Sequence, residues 1–466
     1  MRDFHKSLLK TALAIIILVV LVIYAYFGEY KKAQEEATKK EEELKVLKDV
    51  KKEEIVQIKI THKDNKTIEL VKENDKFVIK SPIQTETDKN VVDTILNTLE
   101  TLKSTTKFKD NERLSSYGLT TPSLILEYRL SNGNSRKLLC GLRNDFDGKY
   151  YMKLEDSDEI FMVEGYIKGN LDKDLYNLRD KSIFKVETNE IKKIEYKLGE
   201  LVYIFEQKDK NWEMLSPERV RADDDEINRL KNSIKNLSAK AFHEDNKNLS
   251  EFGLDNATDY LKIYKGQDMS VSLINISKIK DSAGNEKVYV MRQNTNVPIE
   301  VDNSFYKDLD KKPFDYTFKK ILDFERDSIF KIELIDGETK YSFVKEQMDT
   351  GSDWYLAEDG AKKKLKYYKV SSLLYFLADT KATKMIPSNQ VVVRKYNLDK
   401  PQKAIIIYDS MSKEIGRVEF GTKETEGVPL LSSVRDDISF IETKKFEDVS
   451  FNINDYLEEA RQDAGQ

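Results

Sequence analysis

Between Thr11 and Gly28 the chain reads TALAIIILVVLVIYAYFG, eighteen consecutive residues without a charge. At about 1.5 Å rise per residue the run makes roughly 27 Å of helix, near the lower end of what crosses a hydrocarbon core. A helix of that length inside a globular core would show a polar stripe, and this one has none. Tyr24, Tyr26 and Phe27 gather at one end, where amphipathic rings favour the headgroup boundary. The segment reads as a transmembrane helix, with residues 11–28 meeting the lipid bilayer. Arg2, Lys6 and Lys10 precede it as in a secretory signal, but no Ala-x-Ala cleavage pattern follows at Phe27-Gly28-Glu29-Tyr30. The expectation is an uncleaved signal anchor of the cell membrane, single-pass, with the C-terminal bulk extracytoplasmic. Lysines that follow the helix are interleaved with glutamates, and translocation of a long C-terminal part tolerates such charge.

Residues 29–53 contain neither Gly nor Pro and consist mainly of good helix formers. Glu36–Lys40 and Glu41–Lys45 are i,i+4 pairs in the favourable order. Ala33, Ala37, Leu44, Leu47 and Val50 form only a broken seam, short of the clean repeat a coiled coil needs. A charged helical stalk that holds the remainder off the bilayer is the expectation.

Beyond the stalk the sequence repeats itself. An offset of 135 residues separates Phe77 in DKFVIKSP from Trp212 in KNWEMLSP, Pro82 from Pro217, and Tyr117 in LSSYGLTTP from Phe252 in LSEFGLDNA. A looser third copy has Trp354 in SDWYLAED and Tyr396 in VRKYNLDKP, 144 residues beyond Phe252. Repeat units are expected over 54–183, 184–323 and, divergently, 324–466. Each opens with a three-stranded meander signal, such as Ile55–Ile60, Thr67–Val71 and Phe77–Ile79. A helix follows, its apolar positions being Val92, Ile95, Leu99 and Leu102, then Ile227, Leu230, Ile234 and Leu237, then Val370, Leu373, Leu377 and Thr380. Asp88 and Asp223 stand where N-cap side chains belong. Next come Tyr117-Gly118-Leu119, Phe252-Gly253-Leu254 and Tyr396-Asn397-Leu398, whose middle residues are the types that accept positive φ most cheaply. Two hairpins close each unit, the first in copy one turning at Asn132-Gly133. The fold class is α+β: an N-terminal transmembrane helix and stalk, then three tandem repeats of mainly antiparallel sheet with one principal helix each.

Chemistry is sparse in this pattern. The 78 Lys and Arg nearly balance 83 Asp and Glu, a net charge of −5, so no basic surplus invites nucleic acid. His5, His62 and His243 lie scattered without ligand spacing, and no phosphate-cradling Gly-rich loop or nucleophile elbow appears. Asp223-Asp224-Asp225-Glu226 begins a helix, where capping accounts for it better than a cation does. Phe77, Trp212 and Trp354 share one internal repeat position, which favours core packing over ligand stacking. Cys140, the single cysteine, sits in apolar LLCG as a small buried hydrophobe. Neither catalytic residues, nor a metal site, nor a cofactor is expected.

The anchor, the aromatic-x-x-x-Ser-Pro segments Phe77 to Pro82 and Trp212 to Pro217, and the YGLTTP and FGLDNA signatures together resemble the bacterial domain of unknown function 4340 family. The resemblance covers most of Glu54 to Leu322 and fades in copy three, where Asn397 replaces the glycine and Ala357-Glu358 replace Ser-Pro. Members of that family tend to be encoded beside ABC-type export or gliding-motility-like components, which implies an accessory role at a membrane transporter. The family has no established catalytic residues to carry over. The expected function is a non-catalytic binding component of an ABC-type transporter or envelope assembly. An envelope enzyme, a wall hydrolase or transferase, and a purely structural spacer stay open beside it, as does the oligomeric state.

Overall fold

The computed structural model describes residues 2–48, 50–245, 248–348, 351–358 and 361–458. A single helix runs from Arg2 to Leu44, and its segment Ala12–Glu36 is long and apolar enough to cross a membrane. The helix stops short of the expected stalk end at residue 53. Leu47 and Val50, read above as stalk positions, instead pack into the core of the first sheet. Their spacing belongs to that core, so the stalk carries no seam of its own to bury.

Among the described residues three nine-stranded antiparallel sheets follow. In the first, β1 is Ile55–His62, β2 Thr67–Glu73, β3 Lys76–Ser81, β4 Thr85–Glu86, β5 Thr106–Phe108, β6 Leu124–Leu130, β7 Ser135–Arg143, β8 Tyr150–Leu154 and β9 Ile160–Val163. The strand order is β4-β3-β2-β1-β6-β7-β8-β9-β5. The second sheet, from Ile191–Leu198 to Ile299–Val301, and the third, from Lys331–Asp336 to Asp437–Ile441, repeat that order strand for strand. The meander and the hairpins are therefore one sheet, fused where β1 pairs with β6, Ile58 opposite Tyr128 and Ile60 opposite Leu126. The short strands β4 and β5 and their counterparts escape the sequence pattern because two or three residues hold too little alternation to read.

One face of each sheet is covered by its principal helix: Lys89–Glu100, Asp224–Lys235 or Tyr367–Asp379. Val92, Ile95, Leu99 and Leu102 are buried, as are Ile227, Leu230, Ile234 and Leu237, then Val370, Leu373 and Leu377; Thr380 serves as the C-cap. Full burial of each such side chain is worth about 2 kcal/mol. Asp88 accepts from the amides of Asn90 and Val91, and Asp223 from those of Asp225 and Glu226. Lys366 occupies the N-cap of the third helix and gives no side-chain bond.

The chain clasps each helix at both ends with the same four backbone bonds. Leu44 and Val46 bond Ser104 and Leu102, Lys181 and Ile183 bond Ala239 and Leu237, and Lys319 and Ile321 bond Ala382 and Thr380. At the other end Leu178, Tyr316 and Tyr456 accept from the amides of Asp88, Asp223 and Lys366. Asp180, Phe318 and Glu458 donate to the carbonyls of Glu86, Arg221 and Lys364. One repeat thus hands over to the next between Asp180 and Lys181 and again between Phe318 and Lys319, a few residues before the positions expected from sequence.

By density of contacts the chain forms two compact units. One comprises Met1–Lys185, Asn236–Asp255 and Ser277–Asn303: the long helix, the first sheet, and outer strands of the second. The other comprises Val186–Lys235, Asn256–Ile276 and Ser304–Gln466: the meander half of the second sheet and the whole third sheet.

The face away from the helix is held by charge. Glu195 accepts from Tyr260 at 2.8 Å, Lys262 at 2.9 Å and Tyr264 at 3.1 Å. Glu333, only 3% exposed, accepts from Lys331 at 2.7 Å, Lys340 at 2.8 Å and Tyr408 at 2.7 Å. In the first sheet the signs reverse, and Lys59 lies between Glu69 and Glu127 in register.

Two predictions follow from this packing. Burial alone would raise the Glu333 carboxyl, but the bonds from Lys331, Lys340 and Tyr408 outweigh it and hold the group at about 2, against an ordinary 4.5. Its stabilisation is complete above about pH 4.5 and drains away as the pH falls towards 2. Melting curves across that window should therefore fall more gently for Glu333→Gln than for wild type, and identical acid limbs would refute the assignment. The second prediction concerns Gly253, where a Cβ would lie 2.4 Å from Ser277 Oγ. Ser277 occupies the strand position held by Gly141 and Gly421 in the other sheets, each following the residue paired to Leu124, Asp259 or Lys403. Gly253→Asn should cost about 1–3 kcal/mol, although Asn397 is tolerated in the third copy. Adding Ser277→Gly should restore most of the midpoint; an undiminished midpoint in the single variant would contradict the crowding.

Candidate functional site

The turn signature proves to be a helix terminus. Leu119 donates to the carbonyl of Leu114 and Gly118 to that of Ser115, the paired bonds of a Schellman cap. Leu254 and Gly253 bond Leu249 and Ser250 in the same way, and Leu398 and Asn397 bond Val393 and Arg394. The φ values are +67° at Gly118, +65° at Gly253 and +56° at Asn397. Leu119, Leu254 and Leu398 are buried, and so are Phe252 and Tyr396, while Tyr117 is half-buried. The rings lie against other rings: Tyr117 4.8 Å from Tyr151, Phe252 5.0 Å from Tyr289, Tyr396 5.3 Å from Phe440. Beneath the turn the strand passes so close that a Cβ at Gly141 would sit 2.1 Å from the Tyr117 carbonyl oxygen, and one at Gly421 2.4 Å from that of Tyr396.

Phe77, Trp212 and Trp354 are buried in the sheets. The Phe77 carbonyl accepts from the Thr87 hydroxyl, and those of Trp212 and Trp354 accept from the amides of Ala222 and Leu365. Pro82 and Pro217 follow cis peptide bonds at exposed turns, whereas the third sheet runs on through Ala357 into a hairpin with Lys362. These residues pin strands to helix starts and offer no polar group to solvent. Cys140 is also buried, its thiol pushed up to about 11 by burial.

Folding does bring one histidine to a carboxylate. His62 Nε2 lies 3.2 Å from Asp172 Oδ1, in a first-repeat cleft of about 950 Å³ that Ser123, Pro82 and Tyr176 also line. Ser, His and Asp thus share a wall, which their distance apart in sequence conceals. The chemistry there is already engaged. The Ser123 hydroxyl is bonded to the carbonyls of Cys140 and Gly141, Asp172 is held by Lys168, Tyr176 donates to the Ala239 carbonyl, and Asp174 caps a helix. The other histidine with a described side chain, His243, packs between Phe252 and Tyr289.

The third repeat presents a different surface. Its principal helix turns Tyr367, Tyr368 and Tyr375 outward, at 53%, 60% and 50% exposure. The corresponding faces of the other two helices expose Lys89, Asn90 and Asn97, and Asp225, Asn228, Arg229 and Asn232. A groove of about 430 Å³ lies along one side of the tyrosines, its walls including Ser372, Lys369, Asp379, Lys445 and Asp448. On the other side a groove of about 200 Å³ is walled by Ser371, Glu325, Arg326, Asp327 and Lys345. The Arg326 guanidinium stacks 3.7 Å from the Tyr375 ring centre, and its Nη1 is buried without a hydrogen-bond partner among the described residues. The helical period reports only the buried face of the helix and is silent on these tyrosines. Subtracting the three aligned helices from one another, position by position, would have exposed them.

The family described as Domain of unknown function (DUF4340) matches residues 78–211 and again 212–401, so the likeness runs on into the third repeat, past Leu322, where the sequence resemblance fades. No curated protein matches the chain. Among solved structures, a chain labelled as a DNA polymerase III beta subunit from Eubacterium rectale is 9% identical, with 84% of this chain and 90% of that one covered at a TM-score of 0.16. A DNA polymerase sliding clamp from Pseudomonas aeruginosa is 8% identical, with 86% and 94% covered at a TM-score of 0.14. Both scores lie far below those of chains that share a fold. The two matched segments together take in well over half of the sequence, and the chain belongs to the Domain of unknown function (DUF4340) family.

Proposed function

We propose that this chain is a membrane-anchored, extracytoplasmic, non-catalytic binding component of an ABC-type transporter or envelope assembly, with its ligand held at the tyrosine face of the third repeat. The observation that carries the reading is the apolar stretch Ala12–Glu36. None of its most apolar window is covered by the described chain, so lipid is the natural partner for its side chains. The long helix continues past that stretch and ends against the first sheet, where Leu44 bonds Ser104. An exposed cluster of Tyr, Ser and Arg has the composition of a recognition surface, since rigid rings bring contact area at small entropic cost.

Protease added to cells with a permeable wall should digest the chain beyond Glu54. Protection until lysis would place the sheets in the cytoplasm and overturn the topology. Chemical cross-linking in native membranes should capture subunits of an ABC-type transporter with the full chain. Their absence from every cross-linked product would refute the accessory role.

A further inference from the structure

We propose that the tyrosine-faced helix of the third repeat binds an uncharged glycan strand, which rests on the rings of Tyr368 and Tyr375 while its hydroxyls reach into the two flanking grooves. The inference rests on the reading of the third repeat as the ligand-binding face and names the class of ligand. Exposed rings present a negative π face, and the C–H bonds of a pyranose, polarised by neighbouring oxygens, supply the complementary positive edge. Tyr368 and Tyr375 stand seven residues apart on one helix, about 10 Å along its axis, which suits alternate sugars of an extended chain.

The walls decide against other occupants. One groove carries Lys369, Lys445, Asp379 and Asp448 and the other Arg326, Lys345, Glu325 and Asp327, four charges of each sign in all. Among the described residues none of the eight is in an ion pair, on a molecule that pairs such groups widely elsewhere. They form a set of donors and acceptors with no net charge. A polyanion or polycation gains little from walls that cancel, and an apolar peptide would have to desolvate them. Hydroxyl groups, which both donate and accept, can satisfy either sign at no cost in net charge. The unpartnered Nη1 of Arg326 adds a donor beside the Tyr375 ring.

The test uses the full chain in detergent micelles and an immobilised panel of uncharged oligosaccharides that includes chitohexaose, with heparin as the charged comparator. Saturable binding to an uncharged member is expected, unchanged between about 0.1 and about 0.5 M salt because no ion pair is being screened. Tyr368→Ala and Tyr375→Ala should each weaken it about threefold to tenfold, as the loss of one ring contact implies. Tyr375→Phe should retain binding, and Tyr166→Ala, which removes an exposed ring in the first repeat, should change nothing. Melting curves matched to wild type establish that the variants are folded. No binding to any uncharged sugar overturns the proposal, as does binding that survives both alanine variants, or heparin binding that salt abolishes. Such failure with the transporter cross-link intact removes the glycan alone, whereas protection from protease in whole cells removes the anchored reading itself.

Discussion

Every repeat depends on a backbone clasp around its principal helix. An amphipathic helix of a dozen residues is marginal alone, and it gains stability only when its apolar face is held against a sheet. Here the sheet is closed around it by main-chain bonds at both ends, through Leu44–Ser104 and Leu178–Asp88 in the first copy. Because these bonds need no particular side chain, the sequence at the clasp has drifted. Leu178, Tyr316 and Tyr456 occupy one role, as do Asp88, Asp223 and Lys366. The buried residues and the turn that cannot drift are the ones that still look alike.

That division explains what could be read from the chain directly. In each repeat the seven longer strands and the principal helix are legible, because burial of one face imposes a period on the residues. The Schellman turns were visible through Gly118, Gly253 and Asn397, where only a few residue types fit. The clasps were not, since peptide groups leave no trace in the choice of side chain. Leu47 and Val50 are illegible for a related reason: two apolar residues in a charged stretch give no period, and only the core they enter reveals their role. The pairing of His62 with Asp172 joins distant parts of one repeat and had no local signal at all.

Departures from the repeat are informative because the other copies show what folding alone requires. The third helix needs Val370, Leu373 and Leu377, and it has them. It does not need Tyr367, Tyr368 and Tyr375, which the first two helices manage without, nor is it helped by Lys366 in place of a capping aspartate. The first sheet differs in another direction, with Lys59 in register where Glu195 and Glu333 stand, and with a broad cleft where Ser123, Asp172 and Tyr176 already hold partners. Duplication supplied three scaffolds of equal plan, and only one of them turns aromatic rings to solvent along its helix.

The hand-over points have a mechanical consequence. Asp180 completes the first clasp and Lys181, its covalent neighbour, begins the second; Phe318 and Lys319 stand in the same relation. Not one residue of slack lies between successive repeats. A pull on the chain cannot be absorbed by paying out linker, so tension that opens one clasp is delivered at once to the next peptide along. A strand of this kind yields in register, like stitches in a seam, and offers a scissile-bond hunter no slack thread between them.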